Sequence, residues 1–78
     1  MKIQQIIRRE GCYTTILVND SYDKVKLAER YITKKGTEVI TDYKFRATPS
    51  TTHVRLRTTA WGDDKIYLRA GMYLKPQS

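Results

Sequence analysis

The sequence has 78 residues, which are enough for one domain, residues 1–78, and leave no room for a second core. Its apolar content of 40%, with six Tyr, one Trp and one Phe, excludes a disordered chain. Fifteen Lys and Arg against eight Asp and Glu give a net charge of +7, which favours anionic partners and says nothing about the fold.

The first two predicted elements are strands over residues 2–9 and 12–18, joined by a two-residue turn at Glu10-Gly11 in which the glycine supplies a positive φ. Pairing these strands in register gives a common apolar face. The residues on that face are Ile3, Ile7, Cys12, Ile16 and Val18. Cys12 is therefore expected to pack in the core as a small hydrophobic side chain.

The next segment, residues 21–35, has the pattern of an amphipathic helix. Asp20 or Ser21 can cap its N-terminus, and Gly36 follows its last turn as a helix-ending glycine. Apolar residues recur at helical spacing and predict one buried stripe. The stripe consists of Val25, Ala28 and Ile32, flanked by Tyr22, Leu27 and Tyr31.

Three further strands are predicted over residues 37–47, 52–61 and 65–74, separated by turns at 48–51 and 62–64. A four-residue loop at 48–51 places Phe45 opposite Val54 and Tyr43 opposite Leu56 on the buried face. In the next hairpin Leu56 lies opposite Ala70, and Val54 opposite Met72. The predicted fold is α+β, with the order ββαβββ: an antiparallel five-stranded sheet with one helix packed on its apolar face.

The residues that alternate with these apolar positions share the outer face of the predicted sheet. Its cations and large aromatic residues are Lys44, Arg46, Arg55, Arg57, Trp61, Lys65, Tyr67, Arg69 and Tyr73. The register places Lys44 opposite Arg55. It also places Arg57 opposite Arg69, and like charges in such positions destabilise a sheet unless an anion lies between them.

Cations interleaved with aromatic rings are typical of single-stranded nucleic-acid binding, because phosphates bind the cations and bases stack on the rings. We therefore predict a nucleic-acid-binding module, with single strands favoured and DNA or RNA undecided. The alternative is a small inhibitor or adaptor, of the kind that phages and plasmids encode, docking on an acidic surface of a host protein or nucleoprotein complex. A structural explanation also stays open, since exposed antiparallel faces are often rich in Arg, Lys, Thr and Tyr. Homodimerisation is compatible with each alternative.

Catalytic and cofactor-binding patterns are missing from the sequence. One His and one Cys are too few for a zinc site, and the four glycines do not have the spacing of a phosphate-binding loop. Cys12 and His53 are predicted on opposite faces, which argues against a catalytic dyad. We expect no enzymatic activity, cofactor or metal. The single cysteine and the lack of an apolar leader or membrane-length segment predict a cytoplasmic protein without membrane association.

Overall fold

The computed structural model describes residues 1–58 and 68–77. In these ranges the chain forms six strands, all paired antiparallel in one sheet of order β1-β2-β5-β4-β3-β6. The strands are β1 (Gln5–Glu10), β2 (Tyr13–Val18), β3 (Arg30–Ile32), β4 (Glu38–Thr48), β5 (Thr51–Thr58) and β6 (Lys75–Pro76). The one helical element of the described chain is a 3₁₀ turn, Tyr22–Lys24, and no helix there has the length and apolar character needed to cross a bilayer.

The two outermost strands of the sheet are connected by hydrogen bonds between the segments that lead into them. Residues 1–3 precede β1 and residues 71–74 precede β6. Ile3 N donates to Met72 O (2.9 Å), Gly71 N to Ile3 O (2.7 Å) and Leu74 N to Met1 O (2.7 Å). The sheet therefore curves back on itself, which places one face inside and the other in solvent.

The inner face carries the apolar core. Strand alternation explains its membership, since residues two apart on β2 and β5 point the same way. Ile16 pairs with Val54, and these two side chains are fully buried together with Val18 and Leu56. The other core members are Ile3, Val25, Tyr31, Val39, Leu68 and Leu74.

The predicted helix over 21–35 is wrong, and with it the α+β class and the order ββαβββ. Val25 is buried, but Leu27 is 49% exposed and Ala28 has a left-handed φ of 60°, so the segment has no helical stripe. Residues 30–32 form β3, which pairs with β4 on one side and β6 on the other. Val25, Tyr31 and Ile32 are β-branched or aromatic, and such residues favour an extended backbone wherever strand partners exist.

Buried threonines and one lysine hold the segment before β3 against the sheet. Thr41 Oγ1 donates to Lys26 O (2.6 Å) and accepts from Glu29 N (3.0 Å), and Thr52 Oγ1 donates to Asp20 O (2.7 Å). Lys44 Nζ donates to Tyr22 O in the 3₁₀ turn and to Val25 O directly after it. These side-chain contacts satisfy loop backbone groups that a helix would have paired internally.

The predicted register of the β4–β5 hairpin is also wrong. The turn consists of two residues, 49 and 50, and an irregularity at residue 47 then shifts the pairing by one position, so that Lys44 rather than Phe45 lies opposite Val54. A second irregularity, at residue 42, shifts it again before Thr41. Because side chains alternate along a strand, the slip at residue 47 turns Tyr43 and Phe45 to the outer face. Leu56 and Val54 remain buried as predicted.

The predicted pairing of residues 52–61 with residues 65–74 is wrong as well. β5 pairs with β2 and β4 on its two sides, so residues 68–74 cannot lie beside it, and Ala70 is exposed. In the first hairpin, Ile3, Ile16 and Val18 are buried as predicted, but Ile7 and Cys12 are exposed. A bulge at residue 7 and a turn at 11–12, one residue later than predicted, explain these two differences.

Candidate functional site

The outer face of the central strands carries a cluster of exposed aromatic residues. Tyr43 and Phe45 lie between the two irregularities in β4, opposite Arg55 and His53 of β5. Their exposed fractions are 54% and 43%, which is unusual for large rings in the middle of a sheet. On the other side of β5, Tyr13 of β2 lies opposite Arg57.

Arg55 is the best-anchored cation of this face. Its Nε donates to Asp42 Oδ2 (2.8 Å), and Nη2 lies 2.5 Å from the same oxygen. Its guanidinium carbon is 4.6 Å from the centre of the Tyr13 ring and 5.5 Å from that of Tyr43. Two rings and a carboxylate therefore hold the guanidinium in place, and part of its charge is neutralised by Asp42.

The aromatic rings beside Arg55 contact each other. Phe45 meets the His53 ring edge-on, with centroids 4.7 Å apart and planes at 74°, and Tyr43 is 6.1 Å from Phe45. His53 Nδ1 is buried and has no hydrogen-bond partner among the described residues. The imidazole thus packs as one ring of the aromatic cluster.

A shallow concavity of about 460 Å³ covers this cluster and extends toward β1. Its lining residues are Ile7, Arg8, Glu10, Thr15, Tyr43, Phe45, His53 and Arg55. We call the surface formed by Arg8, Tyr13, Tyr43, Phe45, His53, Arg55 and Arg57 the Tyr–Arg patch. It combines flat apolar rings with cations on one solvent-facing surface.

Two of the predicted site residues, Arg55 and Arg57, lie together on this patch. Lys44 and Arg46 do not, because the register slip turns them to the other side of β4, where they cover the 3₁₀ turn. Lys44 Nζ donates to Tyr22 O and Val25 O, both at 2.7 Å, and lies 4.1 Å from the centre of the Tyr22 ring. The Arg46 guanidinium is 5.7 Å from the same ring.

The remaining predicted residues are divided between another surface and the undescribed part of the chain. Tyr73 pairs with Lys2 and does not lie beside β5, and Arg69 begins a turn over 69–72. Trp61, Lys65 and Tyr67 lie outside the described residues.

Neither predicted pair of like charges is present. Lys44 lies opposite Val54, while Arg57 lies opposite Ile40 and Tyr13. Repulsion between opposed cations therefore gives no reason to place an anion on this face. The case for a ligand has to come from the exposed rings.

Sequence reasoning missed Arg8, Tyr13, Tyr43, Phe45 and His53 as a group. Pro49 predicts the two-residue loop at 49–50, because proline is favoured at the second position of a four-residue turn. That loop alone leaves Phe45 opposite Val54, and the irregularity at residue 47 moves it opposite His53. Neither this irregularity nor the one at residue 42, which keeps Thr41 and Val39 in the core, has a signal in the sequence.

Other chemistry finds little support in the described chain. No group of three or more His, Cys, Asp or Glu side chains in residues 1–58 and 68–77 is arranged to hold a metal ion. No protein-family model, curated protein or solved structure matches the sequence or the fold. Function must therefore be inferred from the chemistry of the surface.

Proposed function

We propose that the protein binds single-stranded nucleic acid through the Tyr–Arg patch, as a binding module and not an enzyme. The observation that carries the proposal is the exposure of Tyr43 and Phe45 next to Arg55 on one sheet face. Exposed apolar surface of this kind is costly to hydrate, and a contiguous set of such residues is typical of a binding surface. Nucleobases are suitable partners, because every base has a flat face that stacks on an aromatic ring.

The cations of the patch have different roles in this proposal. Arg55 is fixed by Asp42 and two tyrosines, so it extends the stacking surface more than it adds charge. Arg57 and Arg8 are exposed and bind phosphates at its sides. Arg8 already pairs with Glu10 (Nε–Oε2 3.3 Å), but both side chains are 69% exposed, so the pair exchanges readily for a phosphate.

The geometry favours unpaired strands over duplexes. The bases of a duplex stack on each other, so exposed rings can stack only on bases that have left the helix. Recognition of duplex DNA commonly uses an α-helix in the major groove. The described residues have one helical element of three residues, which is too short for that role.

The test is a fluorescence-anisotropy titration with a random-sequence single strand of about six nucleotides, at two salt concentrations. Two phosphate contacts, by Arg8 and Arg57, predict a log–log salt slope of about −1.4. Tyr43→Ala and Phe45→Ala should each weaken binding by about 1–3 kcal/mol and leave the slope unchanged, because they remove stacking and not charge. Arg57→Gln should reduce the slope by about 0.7.

The matched control is Leu27→Ala, which removes an apolar side chain that is 49% exposed. Leu27 is far in the sequence from the residues of the patch, and its substitution should leave the affinity unchanged. Lack of binding at low salt, or binding that Tyr43→Ala and Phe45→Ala do not weaken, contradicts the proposal. In that outcome the alternative of a protein partner takes precedence, since Tyr and Arg are also the residues that dominate protein interfaces.

A further inference from the structure

A second basic surface lies around Tyr73, on strands away from the Tyr–Arg patch. Tyr73 is 67% exposed, the highest value among the large apolar or aromatic residues described as exposed. It is one wall of a concavity of about 440 Å³ between β6 and the β3–β4 turn. The lining residues are Ile32, Thr33, Lys34, Tyr73 and Lys75.

Cations surround this tyrosine on several sides. Lys34 and Lys75 line the same concavity, and Lys2 is the backbone pairing partner of Tyr73. A neighbouring concavity, of about 360 Å³, shares Lys34 and adds Arg69. We call the surface formed by Lys2, Lys34, Arg69, Tyr73 and Lys75 the Tyr73 surface; all five are exposed.

No acidic side chain is among the described residues that line these two concavities. Asp20 lines a third and smaller one, of about 180 Å³, together with Lys2 and Tyr73, so one carboxylate faces the four cations of this surface. Glu38 lies opposite Ile32 on β4, but its carboxylate is already paired with Arg30 (Oε1–Nη1 3.2 Å). Several cations around one exposed ring are complementary to a chain that alternates phosphates with flat bases. A protein partner would need to present acidic groups at matching positions.

We infer that the Tyr73 surface is a second contact for the same nucleic-acid strand, so that a long strand occupies both surfaces and a short one occupies only the Tyr–Arg patch. This inference rests on the proposed function. β5 and β6 are separated by β4 and β3 in the sheet, which corresponds to about 14 Å measured along it. A strand that reaches both surfaces must therefore continue beyond the bases stacked on Tyr43 and Phe45.

The experiment compares random single strands of about six and about twenty nucleotides, titrated by anisotropy against the same protein. The longer strand should bind more tightly and have a steeper salt slope, about −4, because four more cations take part. Lys34→Gln combined with Lys75→Gln should reduce the slope for the longer strand by about 1.4 and leave the short strand nearly unaffected. Tyr73→Ala should weaken binding of the longer strand by about 5- to 150-fold.

The charge-matched control combines Lys24→Gln with Lys26→Gln, two exposed lysines in and after the 3₁₀ turn. This control should affect both strand lengths alike, since it lowers only the general positive field. Equal effects of the two double variants on the longer strand would overturn the inference and leave the Tyr–Arg patch as the sole site. If the wild-type protein binds the short strand as expected and binds the longer strand with the same affinity and salt slope, the proposed function stands and the second contact is rejected.

Discussion

Lys44 holds the 3₁₀ turn against β4, and the contribution of this contact to stability can be measured. Its Nζ donates to Tyr22 O and Val25 O, both at 2.7 Å, and lies over the Tyr22 ring. Lys44→Met keeps the length and apolar stem of the side chain but removes the donor. We expect this substitution to destabilise the fold, because it releases the turn that carries Val25 into the core.

The magnitude follows from the two hydrogen bonds. A bond from a charged donor contributes about 1.5–3 kcal/mol. The turn is at the surface, where water can replace part of both bonds, so the low end applies and the expected loss is about 2–3 kcal/mol. The ring contact adds little to this difference, because a methionine sulfur also packs favourably on tyrosine. For a chain of this length, with a total stability of roughly 4–12 kcal/mol, the loss is large.

The assay is urea unfolding followed by intrinsic fluorescence. With an m-value near 1 kcal/mol/M, typical of the smallest domains, the midpoint should fall by about 2–3 M. Lys24→Met is the matched control in the same turn; Lys24 is exposed, and its substitution should change stability by less than about 0.5 kcal/mol. If Lys44→Met unfolds at the same urea concentration as Lys24→Met, then the two carbonyl contacts do not stabilise the turn and the explanation is refuted.

Two further predictions concern the same region. Ala28 is exposed and has a φ of 60°, so Ala28→Gly should raise the free energy of unfolding by about 0.5–1 kcal/mol in a urea titration, whereas a loss of stability would show that the left-handed turn is not strained. Burial, followed by the charges of Glu29 and Asp20, raises the pKa of Tyr31, so the folded state keeps a proton that the unfolded state loses. Stability should therefore fall as pH rises above about 10, and Tyr31→Phe should lessen this fall in unfolding titrations at pH 8 and 10.5; equal falls for the two proteins would contradict this.

The candidate site was predictable only in part. Arg55 and Arg57 were placed on the solvent face because they alternate with Val54 and Leu56, and that alternation is local to β5. Tyr43 and Phe45 were assigned to the core, since a large ring is usually buried. Their exposure depends on the irregularity at residue 47, and a second irregularity at residue 42 returns Thr41 and Val39 to the core; each shifts the pairing by one position.

The sequence by itself determined the strand character of the most regular segments and the turns next to them. Alternation over 13–18 and 51–58 is enough to bury Ile16, Val18, Val54 and Leu56, because a period of two is compatible only with an extended chain. Gly11 marks its turn for a similarly local reason, since positive φ is costly for other residues.

Tertiary structure alone decided the conformation of residues 21–35 and the order of the strands in the sheet. The capping and apolar signals of that segment suit a helix as well as a loop and strand, and a short helix gains little stability without packing. β3 pairs with β4, and also with β6, which is more than 40 residues away in the sequence; the hydrogen bonds of these two pairings outweigh the local preference. The position of β2 beside β5 is equally non-local: it removes residues 68–74 from the central sheet and so separates Tyr73 from Arg55.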